Sequence, residues 1–81
     1  MKIGNVLEFS TGEFGLIVDP NKGQQCQDMF TIFAETDKTN FVVLFSSGFR
    51  GIFSENHINR SGTKILPLEL DEIQFKLIYG N

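Results

Sequence analysis

The pattern of apolar and polar positions is sharpest over FVVLFSSGFRGIFSENHI, residues 41–58. A five-residue apolar run meets Ser46-Ser47-Gly48, a second apolar run follows, and a polar segment ends on Ile58. Two such runs joined by a short Ser/Gly turn predict a β-hairpin. Phe41–Phe45 does not alternate, as expected of a central strand buried on both faces, and Phe49–Phe53 is its predicted partner. Ser54-Glu55-Asn56-His57 reads as one helical turn capped by Ser54, with Ile58 plugging the end of the fold.

The same grammar continues on either side. Val6–Phe9 is a predicted strand after a Gly4-Asn5 turn, and Ser10-Thr11-Gly12-Glu13 connects it to Phe14–Asp19. The two-residue period places Phe14, Leu16 and Val18 on one face and Ile17 on the other. Gly15 inside that strand is expected to mark a bend or bulge. Pro20-Asn21-Lys22-Gly23 is a turn signal, since Pro presets φ and Asn and Gly tolerate positive φ. Met29–Glu35 is a third strand, with Phe30, Ile32 and Ala34 opposite Met29, Thr31 and Phe33, and Thr36–Asn40 turns the chain again. Asn59–Thr63 reads as a loop. In the tail, Ile73, Phe75, Leu77 and Tyr79 alternate strictly, which favours a strand. Leu70, Ile73 and Leu77 also fit helical spacing, so a helix stays the alternative. The expectation is one all-β domain over residues 1–81, a small barrel or roll of five or six strands with one short helical turn.

Composition narrows the function classes. A chain of 81 residues buries only about 60% of its unfolded surface, leaving a net stability of about 3–5 kcal/mol. Nine Phe, one Tyr and no Trp form an aromatic set suited to core building, whereas recognition surfaces favour Trp and Tyr. Phe45 and Phe53 are expected in that core. Cys26 is the single cysteine and His57 the single histidine, which excludes an intramolecular disulfide, a thiolate-rich zinc site and a His cluster. No metal or cofactor is expected. A net charge of −3, with the seven cations scattered singly, argues against duplex nucleic acid, whose binders present a basic face. The opening carries one Lys and no sustained apolar run, so neither a signal peptide nor a membrane span is expected, and the cytoplasm is the expected location.

Few residues offer chemistry. Cys26 lies among Gln24, Gln25, Gln27 and Asp28, with no base to activate it. Gly12, Gly15, Gly48 and Gly51 match no phosphate-binding spacing and read as turn or bulge positions. Glu69, Asp71 and Glu72 form a local acidic cluster, near Glu55 only if the tail folds back, and a solvated face is the default. No catalytic constellation surrounds His57, so the chain is expected not to be an enzyme. Phe49, Arg50 and Phe53 have the composition of an interaction hot spot. The competing assignment turns both rings inward and Arg50 to solvent.

Gly51-Ile52-Phe53-Ser54-Glu55-Asn56-His57-Ile58 resembles the segment that ends Src-homology-3 domains, and VVLFSSGFRG is similar to that family's distal hairpin. Gly51, Phe53, Asn56 and Ile58 fit the family pattern, while Ser54 replaces a proline and His57 a tyrosine. The tandem-aromatic opening motif, the acidic peptide-selecting loop and the hairpin tryptophan are missing. The resemblance therefore implies the fold and argues against the family's usual polyproline ligand. IGNVLEFSTGEFGLIVD is also similar to the openings of small barrels of bacterial and bacteriophage type.

These likenesses imply a non-enzymatic module, phage-encoded and acting in the host cytoplasm, that binds a protein partner through the hairpin and helical-turn end. Phe49, Arg50, Asn56 and His57 are the implied contact residues, and exposed edge strands offer a route to homo-oligomers. The alternative is a nucleic-acid- or ribosome-associated barrel, in which Lys22, Lys38, Arg50 and Arg60 converge from their turns.

Overall fold

Among the described residues, short runs separated by turn residues fold into six strands and two helices. The computed structural model describes residues 1–19, 29–33 and 39–80, with backbone alone for 29–33. The elements are β1 (Asn5–Glu8), β2 (Phe14–Val18), β3 (Met29–Phe33), β4 (Asn40–Phe45), β5 (Arg50–Ser54), α1 (Glu55–Arg60), β6 (Lys64–Glu69) and α2 (Glu72–Tyr79). The strands make one open sheet in the order β3-β5-β4-β2-β1-β6. Neighbours run antiparallel except β3, which lies parallel to β5. The fold is mostly β, as expected. Residues 20–28 and 34–38 lie outside the described residues, and with them the expected turns at 20–23 and 36–38, Cys26, Lys22 and Lys38. The side-chain alternation expected for 29–35 does so too.

Two hairpins carry the same turn. In Ser10-Thr11-Gly12, the Phe9 N–H donates to the Glu13 carbonyl at 2.9 Å and the Gly12 N–H to the Phe9 carbonyl at 2.9 Å. In Ser46-Ser47-Gly48, the Phe45 N–H donates to the Phe49 carbonyl at 2.7 Å and the Gly48 N–H to the Phe45 carbonyl at 2.9 Å. Gly12 and Gly48 take φ of 92° and 93°. This is the three-residue hairpin loop whose last residue is left-handed, a conformation that favours glycine. A bond of 3.1 Å from the Ser46 N–H to the Phe14 carbonyl holds the turns side by side.

Both faces of the sheet are apolar, so each needs a cover. Val6, Leu16, Val18, Val42 and Leu44 form one core beneath Phe75 of α2. Leu7, Ile17, Val43 and Phe53 form the other, closed by Ile58 of α1. Phe14, Leu16 and Val18 thus share a face and Ile17 takes the other, as the period predicts. β4 contributes to both cores with Val42, Val43 and Leu44 buried. Phe53 is buried and Phe45 packs half-buried against the same core.

Three expectations change. Gly15 is no bulge: it sits in an unbroken ladder opposite Leu7 and Phe45. A Cβ there would lie 2.6 Å from Val43 Cγ1 and 2.9 Å from Phe9 Cε2, so glycine makes room for a ring. The helical turn after β5 runs on to Arg60, taking in residues read as loop. Ser54 Oγ accepts from the His57 N–H at 3.0 Å, and Ser61 closes the helix with its N–H on the His57 carbonyl. The tail, where alternation favours a strand and a helix is the alternative, is β6 followed by the helix α2. Asp71 Oδ1 accepts from the Gln74 N–H at 2.7 Å and Gln74 Oε1 from the Asp71 N–H at 3.0 Å, a capping box that starts the helix. Phe75 and Tyr79, four residues apart, then reach the sheet together, and Tyr79 stacks on Phe14 with centroids 4.6 Å apart.

Candidate functional site

Each of the twin turns is preceded by a phenylalanine, and α1 by a third. Phe9, Phe45 and Phe53 each stand immediately before a serine, and their rings meet: Phe9–Phe45 at 5.2 Å, Phe45–Phe53 at 5.8 Å and Phe9–Phe53 at 6.0 Å. β5 and β1 are three strand spacings apart in the sheet order, or about 14 Å in a flat sheet. The sheet coils to bring Phe9 and Phe53 together. Gly15 admits the Phe9 ring to this cluster.

The cluster is open along one side. Phe49, 39% exposed, extends it from Phe45 at 6.1 Å, and the His57 ring stacks on Phe53 at 5.8 Å and 29°. A cleft of about 240 Å³ runs between the Phe9, Phe45, Phe53 and His57 rings and the polar Ser10, Thr11, Glu13 and Ser61. Glu13 and Phe45 also wall a neighbouring hollow with Ser47 and Phe49. Thr11 holds the carboxylate at the rim, its Oγ1 donating to Glu13 Oε1 at 3.3 Å and accepting from the Glu13 N–H at 3.4 Å. An apolar floor with a few fixed polar groups is suited to binding an apolar side chain and orienting its backbone.

The expected contact residues divide between the two faces. His57 borders the cleft, Phe49 walls the neighbouring hollow, and Asn56 is exposed on α1. Arg50 does not join them. It pairs with Leu44 on the opposite face, and its Nη2 donates to Glu72 Oε1 at 2.7 Å. The side chain is only 14% exposed, so the assignment of Arg50 to open solvent is corrected: α2 covers it. The acidic cluster does not form either. Glu69 pairs with Lys2 at 2.9 Å, Asp71 caps α2 and Glu72 holds Arg50. Among the described residues no group of three His, Cys, Asp or Glu side chains is placed to hold a metal ion.

Phe9, Phe45 and Glu13 also belong to the cleft, and local patterning alone does not mark them as site residues. The signal was present as a repeated motif, Phe9-Ser10-Thr11-Gly12 and Phe45-Ser46-Ser47-Gly48, with Glu13 and Phe49 as the equivalent next residues. No helix among the described residues is long and apolar enough to cross a membrane. Comparison with protein-family models, curated proteins and solved structures returns no match.

Proposed function

We propose that the chain is a non-enzymatic binding module, a small Src-homology-3-like barrel of bacterial or bacteriophage type that acts in the cytoplasm. Its partner is a protein segment that inserts an apolar side chain between the twin turns and α1. One observation carries this reading: a phenylalanine cluster, buried at Phe53 and half-buried at Phe9 and Phe45, is left open at Phe49 and at the cleft beside His57. The ring surface that such an open, polar-rimmed cleft leaves uncovered suits an incoming apolar side chain. The barrel reading draws support from the ring contact between Phe9 and Phe53 across three strand spacings. It draws further support from the hairpin that runs through a capped Ser54 into α1.

The alternative, a nucleic-acid- or ribosome-associated barrel, depends on converging cations. Arg50 and Lys2 are held by Glu72 and Glu69, which leaves less positive charge to offer phosphate.

Selection from a displayed random-peptide library tests the module reading. Enriched peptides should shift the amide resonances of Glu13, Phe49 and His57, and a Phe49→Lys variant should lose them while melting like wild type. Enrichment of no peptide, or shifts confined to β6 and α2, would overturn the assignment of the cleft. Salt-dependent binding of single-stranded RNA at this cleft would favour the alternative.

A further inference from the structure

Beside the cleft, a second hollow joins one carboxylate to two rings. Glu13, Phe45, Ser47 and Phe49 line about 350 Å³. The twin turns deliver them: Glu13 follows Gly12 in one and Phe49 follows Gly48 in the other. The 3.1 Å bond from the Ser46 N–H to the Phe14 carbonyl keeps the two turns together. We propose, resting on the binding-module reading, that this hollow takes a cationic side chain, arginine before lysine, from the same protein segment whose apolar side chain enters the cleft.

Charge complementarity selects this occupant. Glu13 is exposed, and its Oε1 accepts a hydrogen bond from Thr11 Oγ1 at 3.3 Å. A carboxylate has about four acceptor sites, so most remain for a partner. Among the described residues no cation pairs with it: Lys2 is held by Glu69 and Arg50 by Glu72. The Phe45 and Phe49 rings, 6.1 Å apart at 45°, present the negative π-faces that attract a cation. A long basic side chain can pack its aliphatic stem on these rings while its head reaches the carboxylate. Arginine fits best, because its planar guanidinium stacks on a ring and pairs with a carboxylate through two parallel N–H bonds.

The two hollows also set a spacing. The cleft and its neighbour share Glu13 and Phe45 as walls, so their occupants are close neighbours. An extended segment places same-side side chains two residues and about 7 Å apart, a span comparable with that between the Phe45 and Phe49 rings. The recognised element is an apolar residue and an arginine separated by one residue.

Selection from a displayed random-peptide library, run in parallel on wild type, Glu13→Gln and Glu13→Lys, separates this proposal from the module reading. Wild type should enrich Arg or Lys two positions from an apolar anchor. Glu13→Gln should keep the anchor and lose the basic preference, and Glu13→Lys should exchange it for Asp or Glu. Both variants should melt like wild type, because the side chain is exposed and backbone hydrogen bonds close the turn. A synthetic peptide from the wild-type selection should bind Glu13→Gln about five- to tenfold more weakly, as expected for a surface ion pair with a cation–π contact. Its affinity for wild type should fall with salt more steeply than its affinity for Glu13→Gln. Apolar anchors enriched without a basic preference, or a basic preference that survives Glu13→Gln, would overturn the proposal and leave the module reading standing. Enrichment of no peptide would overturn both.

Discussion

Arg50 of β5 and Glu72 of α2, 22 positions apart, share a hydrogen-bonded ion pair of 2.7 Å with side-chain exposures of 14% and 33%. The pair fastens the tail helix to the sheet at a point where neither group is fully in water. Screening is therefore partial, and the interaction lies between that of an exposed pair and that of a charged hydrogen bond. Arg50→Ala should cost about 1–2 kcal/mol, against under about 0.5 kcal/mol for a solvent-facing arginine. A double-mutant cycle with Glu72→Gln, read by urea melts, should give a coupling of about 1 kcal/mol. Additive losses would show that the two groups touch without stabilising one another.

The phenylalanine cluster should grade by burial. Phe53 is 5% exposed, and truncating it to Ala removes its transfer energy and leaves a cavity, about 3–5 kcal/mol in all. A domain of this size has about that much stability, so Phe53→Ala should be unfolded at 25 °C. Phe45, half-buried, should cost about 2 kcal/mol on truncation, and the exposed Phe49 under about 1 kcal/mol. If Phe53→Ala melts like wild type, the pairing of Phe41 with Phe53 and the core beneath it are wrong.

Gly15 and Gly12 are required for different reasons, and alanine separates them. At Gly15 an added Cβ meets Val43 Cγ1 at 2.6 Å and the Phe9 ring at 2.9 Å, an overpacking that should cost about 1–3 kcal/mol. At Gly12 nothing lies within 4 Å and φ is 92°, so the cost is backbone strain alone, about 1 kcal/mol. Shortening the neighbour should therefore rescue one and not the other. Gly15→Ala combined with Val43→Ala should lose less than the two single losses added together, whereas Gly12→Ala combined with Val43→Ala should be additive.

What the sequence made legible was local. The β4–β5 hairpin, the Ser54 cap and the opposition of Phe49 to Arg50 all follow from neighbours within a few residues. The cover over Arg50 does not, because it arrives from residues far along the chain. The meeting of Phe9 with Phe53 depends on the coiling of the whole sheet, although the repeated Phe-Ser pairs marked the rings concerned. Gly15 is visible as an unusual residue in a strand, but part of the reason for it is a side chain distant in sequence: Val43 stands beside it, with the Phe9 ring, only because β4 pairs with β2.

The tail misled for a reason that yields the sharpest test. Alternation groups Ile73, Phe75, Leu77 and Tyr79 on one face of a strand, whereas α2 buries Phe75, half-buries Tyr79 and turns Ile73 and Leu77 outward. Exposed aliphatic residues on the outer side of a helix reproduce the two-residue period by coincidence. The assignments part at Leu77. In a strand it would share the environment of Phe75, and both truncations would be costly. In the helix, Phe75→Ala should cost about 3–5 kcal/mol and unfold the domain, while Leu77→Ala should change stability by under about 0.5 kcal/mol, because the side chain is 80% exposed. Asp71→Ala, which removes half of the capping box, should fall between them at about 1 kcal/mol. Thermal melts of the three variants order them. Comparable losses at Phe75 and Leu77 would restore the strand.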